Sequence, residues 1–207
     1  MRCEISRAEE LKQKLDLTDL PSIPQKEQDA GVLILIHDNG TDELKVLLCV
    51  RSRELRRHPG EEVGVIESDD YIVLGNLPAF RARFGILIHP TVALLRRPPT
   101  FSLSINEVES VFWIPLSEFL DDTYHSTFPM EKFYMVHMFQ FDSYPVTYGI
   151  TALMCIVVAI GLLGRHPKFN LMSNLTVSDM MEKHLDSLEI IRHVYEFSSR
   201  KFENSKI

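Results

Sequence analysis

The sequence predicts an α+β domain in which most strands precede the long helices. Two apolar runs, residues 31–36 and 44–50, flank a turn that contains Asn39 and Gly40, and further strand-like segments follow them. From Gly149 onward the pattern is helical. Strands followed by helices are typical of this fold class. With 207 residues, 45% of them hydrophobic, the chain can bury one sizeable core.

The chain is expected to open with a short amphipathic helix, followed by a β-hairpin. Ser6 followed by Glu9 forms a capping-box pattern, and leucines recur at near-helical spacing up to Leu17. Prolines at residues 21–24 end this helix. The pair Asn39–Gly40 is typical of a tight hairpin turn, because both residue types tolerate positive φ. The runs on either side are therefore predicted to pair as antiparallel strands.

The remaining elements follow from the spacing of apolar residues. A short helix is predicted to begin at residues 115–118, and two long helices, residues 149–163 and 177–202, close the chain. The other predicted strands cover residues 71–75, 85–89, 91–95, 110–114 and 133–141.

The uncharged run from Tyr148 to Gly164 permits two interpretations. It contains three glycines and lacks an obvious belt of aromatic and basic residues on both sides. It is also shorter than the roughly twenty apolar residues that cross a bilayer comfortably. We therefore expect a helix buried in the protein core and no membrane span, with a membrane-attached protein as the alternative.

Charge and cysteine content exclude several classes of function. The formal net charge is −7, from 22 Lys and Arg against 29 Asp and Glu, which argues against general binding of nucleic acid. A polyanionic ligand must then meet a local basic patch. The three cysteines are widely spaced and form no C-x-x-C pair, so neither a disulfide framework nor a zinc site is indicated.

The two ends of the sequence indicate a cellular location. The first ten residues are polar and contain no apolar segment of the kind that secretory signals carry. Ser205, Lys206 and Ile207 differ from the peroxisomal S-K-L address by one aliphatic residue. We expect a peroxisomal location and recognition by the peroxisomal import receptor. The alternative is a frayed polar tail.

Basic residues are concentrated directly after the second predicted strand, from Arg51 to His58. The planar guanidinium of arginine makes paired hydrogen bonds to phosphate oxygens, although a solvated basic loop is the alternative. The spacing resembles L-L-[TC]-x-R-[SA]-x-x-x-R-x-x-x-G, a signature found beside the Nudix box of coenzyme A pyrophosphatases. This resemblance implies that Arg51, Ser52 and Arg56 bind the substrate. The matching positions are Leu47, Leu48, Cys49, Arg51, Ser52, Arg56 and Gly60.

The chain departs from the family where the metal-binding box should follow. The family pattern is G-x5-E-x7-R-E-U-x-E-E-x-G-U, with U a bulky aliphatic residue. Here Gly60 is followed at once by Glu61, Glu62 and residues 63–65, which match only the closing E-E-x-G-U. The resemblance implies that a segment of about twenty-five residues is missing at a junction near Glu61, as a skipped exon or a mistaken gene model would leave it.

The surviving carboxylates are few for the chemistry that the resemblance implies. In R-E-U-x-E-E the three glutamates share one face of a helix and bind a hard divalent cation, Mg²⁺ or Mn²⁺. That cation activates water and stabilises charge on the diphosphate. Glu61 and Glu62 are the expected metal ligands, with Glu62 the expected catalytic residue. Neighbouring positions point about 100° apart on a helix, so these two alone chelate poorly. A plain acidic turn is the alternative.

The resemblance resumes downstream. Residues 106–117 resemble the N-E-V-x-x-V-F-W-V-P-L-S segment that follows the box, with Glu109 as a further candidate carboxylate. Residues 149–152 resemble the G-x-T-A start of the next long helix. We expect an N-terminal helix and linker at residues 1–26, a Nudix-like domain at 27–204, and a targeting tripeptide at 205–207.

The resemblance implies an α/β/α sandwich around a mixed sheet, here without its catalytic helix. The implied reaction is metal-dependent cleavage of coenzyme A or acyl-coenzyme A to 3',5'-ADP and 4'-phosphopantetheine. Because most of the box is missing, we expect the activity of this chain to be severely reduced or lost. The alternative is a non-catalytic module, or truncated isoform, that binds coenzyme A or a nucleotide.

Overall fold

The computed structural model of the chain describes residues 2–17, 29–40, 43–51, 70–81, 86–97, 108–129 and 135–203. These contain four α-helices: α1 Arg2–Lys14, α2 Gly149–Leu163, α3 Val177–Glu182 and α4 Ser187–Glu203. A 3-10 helix spans Leu116–Phe119. The strands in the same ranges are β1 Ala30–Asp38, β2 Leu44–Arg51, β3 Tyr71–Asn76, β4 Phe80–Arg81, β5 Leu87–Leu95, β6 Val108–Pro115, β7 His125–Pro129, β8 Met135–Phe139 and β9 Thr147–Tyr148.

The larger sheet is mixed. Its strand order is β3-β5-β1-β2-β6, and β4 pairs with β5 beyond the end of β3. The pairing of β1 with β5 is parallel, whereas the β1–β2, β2–β6 and β3–β5 pairs are antiparallel. The predicted α+β class with a mixed sheet is therefore confirmed. The smaller sheet is antiparallel, in the order β7-β8-β9.

The turn between β1 and β2 follows the prediction from Asn39–Gly40. Gly40 has a φ of 78°, a left-handed conformation that glycine adopts without a steric penalty. Its N–H donates to the Asp38 Oδ1 at 2.9 Å, which closes the turn at the end of β1. Ile36 then pairs with Val46, and Asp38 with Leu44, as the hairpin prediction requires.

One face of the larger sheet is covered by helices. Along β1, Ile34 and Ile36 point to this face, where they join a large core with residues of α1, α2 and α4. Residues 152–162 of α2 are all buried, so the predicted core helix is confirmed. Within the described ranges, no helix combines the length and the apolarity needed to cross a bilayer.

The opposite face carries a smaller cluster. Leu35, Leu47, Ala93 and Leu95 form its buried centre, and no helix in the described ranges contributes a residue to it. Tyr71, Val111 and Trp113 pack around these four residues. The predicted lack of a catalytic helix concerns residues that follow β2, and those lie outside the part of the chain that the structure describes.

Four predictions about single elements need correction. The opening helix α1 includes Ser6 rather than beginning there, so the predicted capping box does not mark its start. Residues 85–89 and 91–95 belong largely to one strand, β5, which passes through Pro90. The Pro90 carbonyl accepts from the Leu77 N–H, so this residue faces the gap between β3 and β4. A missing N–H is tolerated there because no ladder partner requires it.

The third correction concerns the last predicted helix, which is divided. α3 ends at Glu182, and His184 adopts a φ of 52° between the two helices. The Asp186 N–H donates to Glu189, and the Glu189 N–H donates to Asp186, a reciprocal cap that starts α4. The fourth concerns strands β4, β7 and β9, which the sequence analysis missed, whereas β8 lies within the predicted strand at residues 133–141.

Candidate functional site

The pairing within the larger sheet divides between β1 and β2. These two strands share register only near their connecting turn, from Ile36 opposite Val46 to Asp38 opposite Leu44. Toward the other end, β1 pairs with β5 from Ala30 to Ile36, and β2 pairs with β6 as far as Arg51. At this end, β1 is hydrogen-bonded only to β5, and β2 only to β6, among the described strands. We call the region between residues 30–35 of β1 and 47–51 of β2 the fork.

The open end of the fork is where several strands meet. β2 ends there, while β1, β5 and β6 begin there, as their pairing shows. The basic segment that was predicted from the sequence starts with the last residue of β2. A sheet edge at which strand ends converge brings together side chains that are distant in sequence, a common way to build a binding site.

Of the predicted substrate residues, Arg51 is placed at this end. It is the last residue of β2 and lies opposite Val108 of β6. The register shifts between Val50 and Arg51. Val50 lies opposite Ser110 and Arg51 opposite Val108, so Glu109 is an extra, unpaired position on β6, a β-bulge. Such bulges often lie beside functional sites, where they redirect a side chain. Glu109 is exposed, so this candidate carboxylate is accessible to solvent beside the end of β2.

The other predicted site residues lie outside the described part of the chain. Ser52 and Arg56, expected to bind substrate, follow Arg51 directly in the masked stretch between β2 and β3, and so do Glu61 and Glu62, expected to bind the metal. These assignments remain predictions. In the described ranges, no group of three His, Cys, Asp or Glu residues is arranged to hold a metal ion.

On the β5 side of the fork, a buried carboxylate lies beside a histidine. The side chain of Asp29, just before β1, is 2% exposed. Its Oδ1 accepts from the Leu87 N–H at 3.2 Å, and its Oδ2 lies 3.4 Å from the His89 Nε2. His89 retains 20% of its side-chain exposure. The carboxylate thus ties the start of β1 to β5 and orients the imidazole.

The sequence analysis missed Asp29 and His89 as candidate site residues. A signal was present, because His89 interrupts the otherwise apolar run of β5. One face of this strand packs against the helices. A polar residue that points to the other face indicates that this other face is in contact with solvent or a ligand. Asp29 carried no such signal, since an aspartate before a strand is common in loops. Only the three-dimensional pairing of β1 with β5 brings the two together.

A second polar cluster lies away from the fork, in the smaller sheet. The His137 Nε2 donates to the Leu171 carbonyl at 3.0 Å, so its Nδ1 accepts from the His125 Nε2 at 2.9 Å. Phe169 stacks on the His125 ring at 3.6 Å between centroids. Burial, and then the neighbouring His137, lower the pKa of His125 to about 4. Burial also lowers the pKa of His137. Both rings are therefore neutral near pH 7, which suits a structural role.

Comparison with known proteins adds independent information. No family model matches the chain. The chain is 68% identical to the peroxisomal coenzyme A diphosphatase ndx-8 of Caenorhabditis elegans, covering 100% of both chains. It is 28% identical to the mitochondrial Nudix hydrolase 15 of Arabidopsis thaliana, over 70% of this chain and 62% of that protein.

Solved structures are more distant from this chain. A crystal structure of an Ap4A hydrolase binary complex from C. elegans matches 43% of this chain and 81% of its own, with a TM-score of 0.35 and 16% identity. A MutT/nudix family protein from Enterococcus faecalis matches 79% of this chain and 77% of its own, with a TM-score of 0.33 and 15% identity.

The length of the nematode alignment is informative in itself. It runs over 234 positions, whereas this chain has 207 residues, so about 27 positions have no counterpart here. The sequence analysis expects a loss of about this size near Glu61. The rest of the chain aligns from end to end at high identity.

Proposed function

This chain belongs to the Nudix hydrolases, and from that premise we propose that it is a coenzyme A diphosphatase-type protein whose hydrolysis is severely reduced or lost. Its ligand is coenzyme A or an acyl-coenzyme A. The reaction of an intact relative of this type would release 3',5'-ADP and 4'-phosphopantetheine. The observation that carries the proposal is the nematode coenzyme A diphosphatase, 68% identical over the full length, together with an alignment about 27 positions longer than this chain.

The arrangement of strands supports retained recognition of the substrate. Seven positions of the coenzyme A-associated signature are present, and the signature begins on β2, whose end forms one side of the fork. We propose that Arg51 and Arg56 bind the diphosphate of the substrate, because guanidinium groups make paired hydrogen bonds to phosphate oxygens. The chain is acidic overall, with a net charge of −7, so this local basic segment is what would attract the anion.

The donor set for a metal supports the proposed loss of hydrolysis. When bound, Mg²⁺ or Mn²⁺ would lower the pKa of a coordinated water and neutralise charge on the diphosphate. Glu61 and Glu62 would hold it, with Glu62 also the proposed catalytic residue. Six oxygen ligands in near-octahedral order are what Mg²⁺ prefers, and two adjacent carboxylates supply few of them. Glu109, exposed beside the end of β2, is a further carboxylate on this side.

The location expected from residues 205–207 agrees with the nematode relative, which is named as peroxisomal. The tripeptide itself lies outside the described residues. We propose that the peroxisomal import receptor recognises it. A fluorescent fusion with residues 205–207 intact should accumulate in peroxisomes, and one lacking Ile207 should not.

A direct assay tests the proposal. The purified chain is incubated with coenzyme A and Mn²⁺, and 3',5'-ADP is quantified beside the nematode relative under the same conditions. We expect the relative to turn over and this chain to be slower by at least about a thousandfold, the effect of removing a principal catalytic group. Turnover approaching that of the relative would contradict the proposal.

A second candidate function is a binding module without catalysis, favoured by the intact arginine signature at the end of β2. Calorimetry with coenzyme A distinguishes it from a product with no function. A dissociation constant in the micromolar range without turnover supports the module. Failure to bind coenzyme A, in a chain shown to be folded by circular dichroism, argues against both candidates.

A further inference from the structure

The Asp29–His89 pair is a polar cluster beside the fork that has no role in the proposed reaction. Asp29 is buried, and its two carboxylate oxygens divide between the Leu87 N–H and His89. Burying a carboxylate is costly unless it is hydrogen-bonded or paired. Its contacts fix the imidazole so that Nε2 faces Asp29. The opposite ring nitrogen, Nδ1, makes no hydrogen bond within the described ranges.

Space is available next to this histidine. His89 lies opposite Gly31 in the parallel β1–β5 pair, so a side chain at position 31 would lie on the same face of the sheet. A Cβ built on Gly31 meets no atom within 4 Å, and Gly31 is exposed. Gly31 belongs to the first part of β1, on the side of the fork opposite β2.

We propose that His89, positioned by Asp29, binds the diphosphate of the coenzyme A-type substrate from the β5 side of the fork. This inference rests on the proposed function. In its imidazolium form, the ring donates Nε2–H to Asp29 and Nδ1–H to a phosphate oxygen, so that one cation bridges two anions. Arg51, the last residue of β2, lies on the other side of the fork. Gly31 leaves room for the ligand beside His89.

Two pairs of variants test this assignment, with dissociation constants measured by calorimetry in metal-free buffer. The first pair is His89→Gln and its control, His193→Gln. The control makes the same substitution at an exposed histidine of α4. The second pair is Gly31→Asp and Gly31→Asn, which have nearly the same shape and differ in charge. The ligands are coenzyme A, dephospho-coenzyme A, which lacks the 3'-phosphate, and pantetheine, which has no phosphate.

We expect His89→Gln to weaken coenzyme A and dephospho-coenzyme A equally, by about tenfold, because both contain the diphosphate. His193→Gln should bind as the unaltered chain does. Gly31→Asp should weaken both ligands by at least about tenfold more than Gly31→Asn, because its carboxylate repels the phosphate. Pantetheine should not distinguish any of these proteins. Thermal unfolding midpoints of all four variants verify that each is folded.

The possible failures are distinguishable. If the unaltered chain binds coenzyme A and His89→Gln binds it equally well, this inference is wrong and the proposed function stands. If His89→Gln weakens only coenzyme A, the histidine contacts the 3'-phosphate and the assignment to the diphosphate is wrong. If Gly31→Asp and Gly31→Asn bind alike, no anion lies beside Gly31. If the unaltered chain binds neither phosphate-containing ligand, the proposed function fails and the inference fails with it.

Discussion

The two faces of the larger sheet differ in what covers them. On one face, α1, α2 and α4 pack on the strands, and residues such as Ile156 and Ile160 of α2 are completely buried. On the other face, Leu35 and Leu47 belong to a small cluster without a described helix. Leu33 is 43% exposed there. The first face holds the fold together, while the second borders the fork.

This difference shows that the buried core and the fork occupy different sides of the sheet. Among the described residues, most buried apolar side chains belong to the core on the helical face, and four form the cluster on the other face. Substitutions on the two faces should therefore have different effects on stability. In an α+β fold, function depends on groups added to such a core, and they can change without it.

Restoring the segment that we propose is missing should have the largest effect. We expect insertion of the nematode relative's unmatched positions near Glu61 to raise coenzyme A hydrolysis by at least about a thousandfold, because we propose that these positions supply metal-binding carboxylates. Release of 3',5'-ADP with Mn²⁺ measures the gain. The matched control is the same insertion with its glutamates changed to glutamine, which should remain inactive. Equal activity of the two insertions would show that the carboxylates are not what this chain lacks.

Truncating one side chain on each face should separate their contributions to stability. Ile156→Ala, on α2, should lower the free energy of unfolding by about 3 kcal/mol, because it leaves a cavity in the closed core. Leu33→Ala, on the fork side, should cost less than about 1 kcal/mol, since much of the side chain is already in water. Urea denaturation measures both. Similar losses for the two variants would mean that the faces are equally packed.

Much of the helical face could be predicted from the sequence because its signals are local. The apolar run of α2 and the Asn39–Gly40 turn each specify an element without reference to distant residues. Strand β5 was divided wrongly at Pro90, because its tolerance depends on the gap between β3 and β4. The break before α4 did have a local signal, the Asp186–Glu189 cap, which was overlooked.

The fork side was less predictable because its geometry is set by pairing between distant strands. The basic segment after β2 was identified by its resemblance to a family signature, but Asp29 and His89 across the fork were not identified. Asp29 and His89 are separated by 60 positions and meet only because β1 lies parallel to β5. The separation of β1 from β2 away from their turn likewise could not be predicted from the residues of either strand. Such features require the register of the whole sheet.

A further prediction concerns the histidine pair in the smaller sheet, His125 and His137. The pKa of His125 is lowered to about 4 by burial and by His137, so the unfolded chain binds a proton more readily than the folded one. Neutral His125 makes its full contribution to the free energy of unfolding above about pH 6.5, and this contribution declines as the pH falls toward 4. We expect a loss of about 1–2 kcal/mol over this interval, measured by urea denaturation at a series of pH values.

The matched variants are His125→Gln and His193→Gln. The amide of the first can still donate to the His137 Nδ1 but cannot take up a proton, so the decline in stability between pH 6.5 and 4 should become shallower. His193 is exposed on α4, and its replacement should leave the pH profile unchanged. The pKa of Asp179 is lowered to about 2, so this carboxylate affects stability only at more acidic pH. An unaltered pH profile of stability for His125→Gln would show that the histidine pair is not the origin of the acid sensitivity. We expect neither variant to change the dissociation constant for coenzyme A.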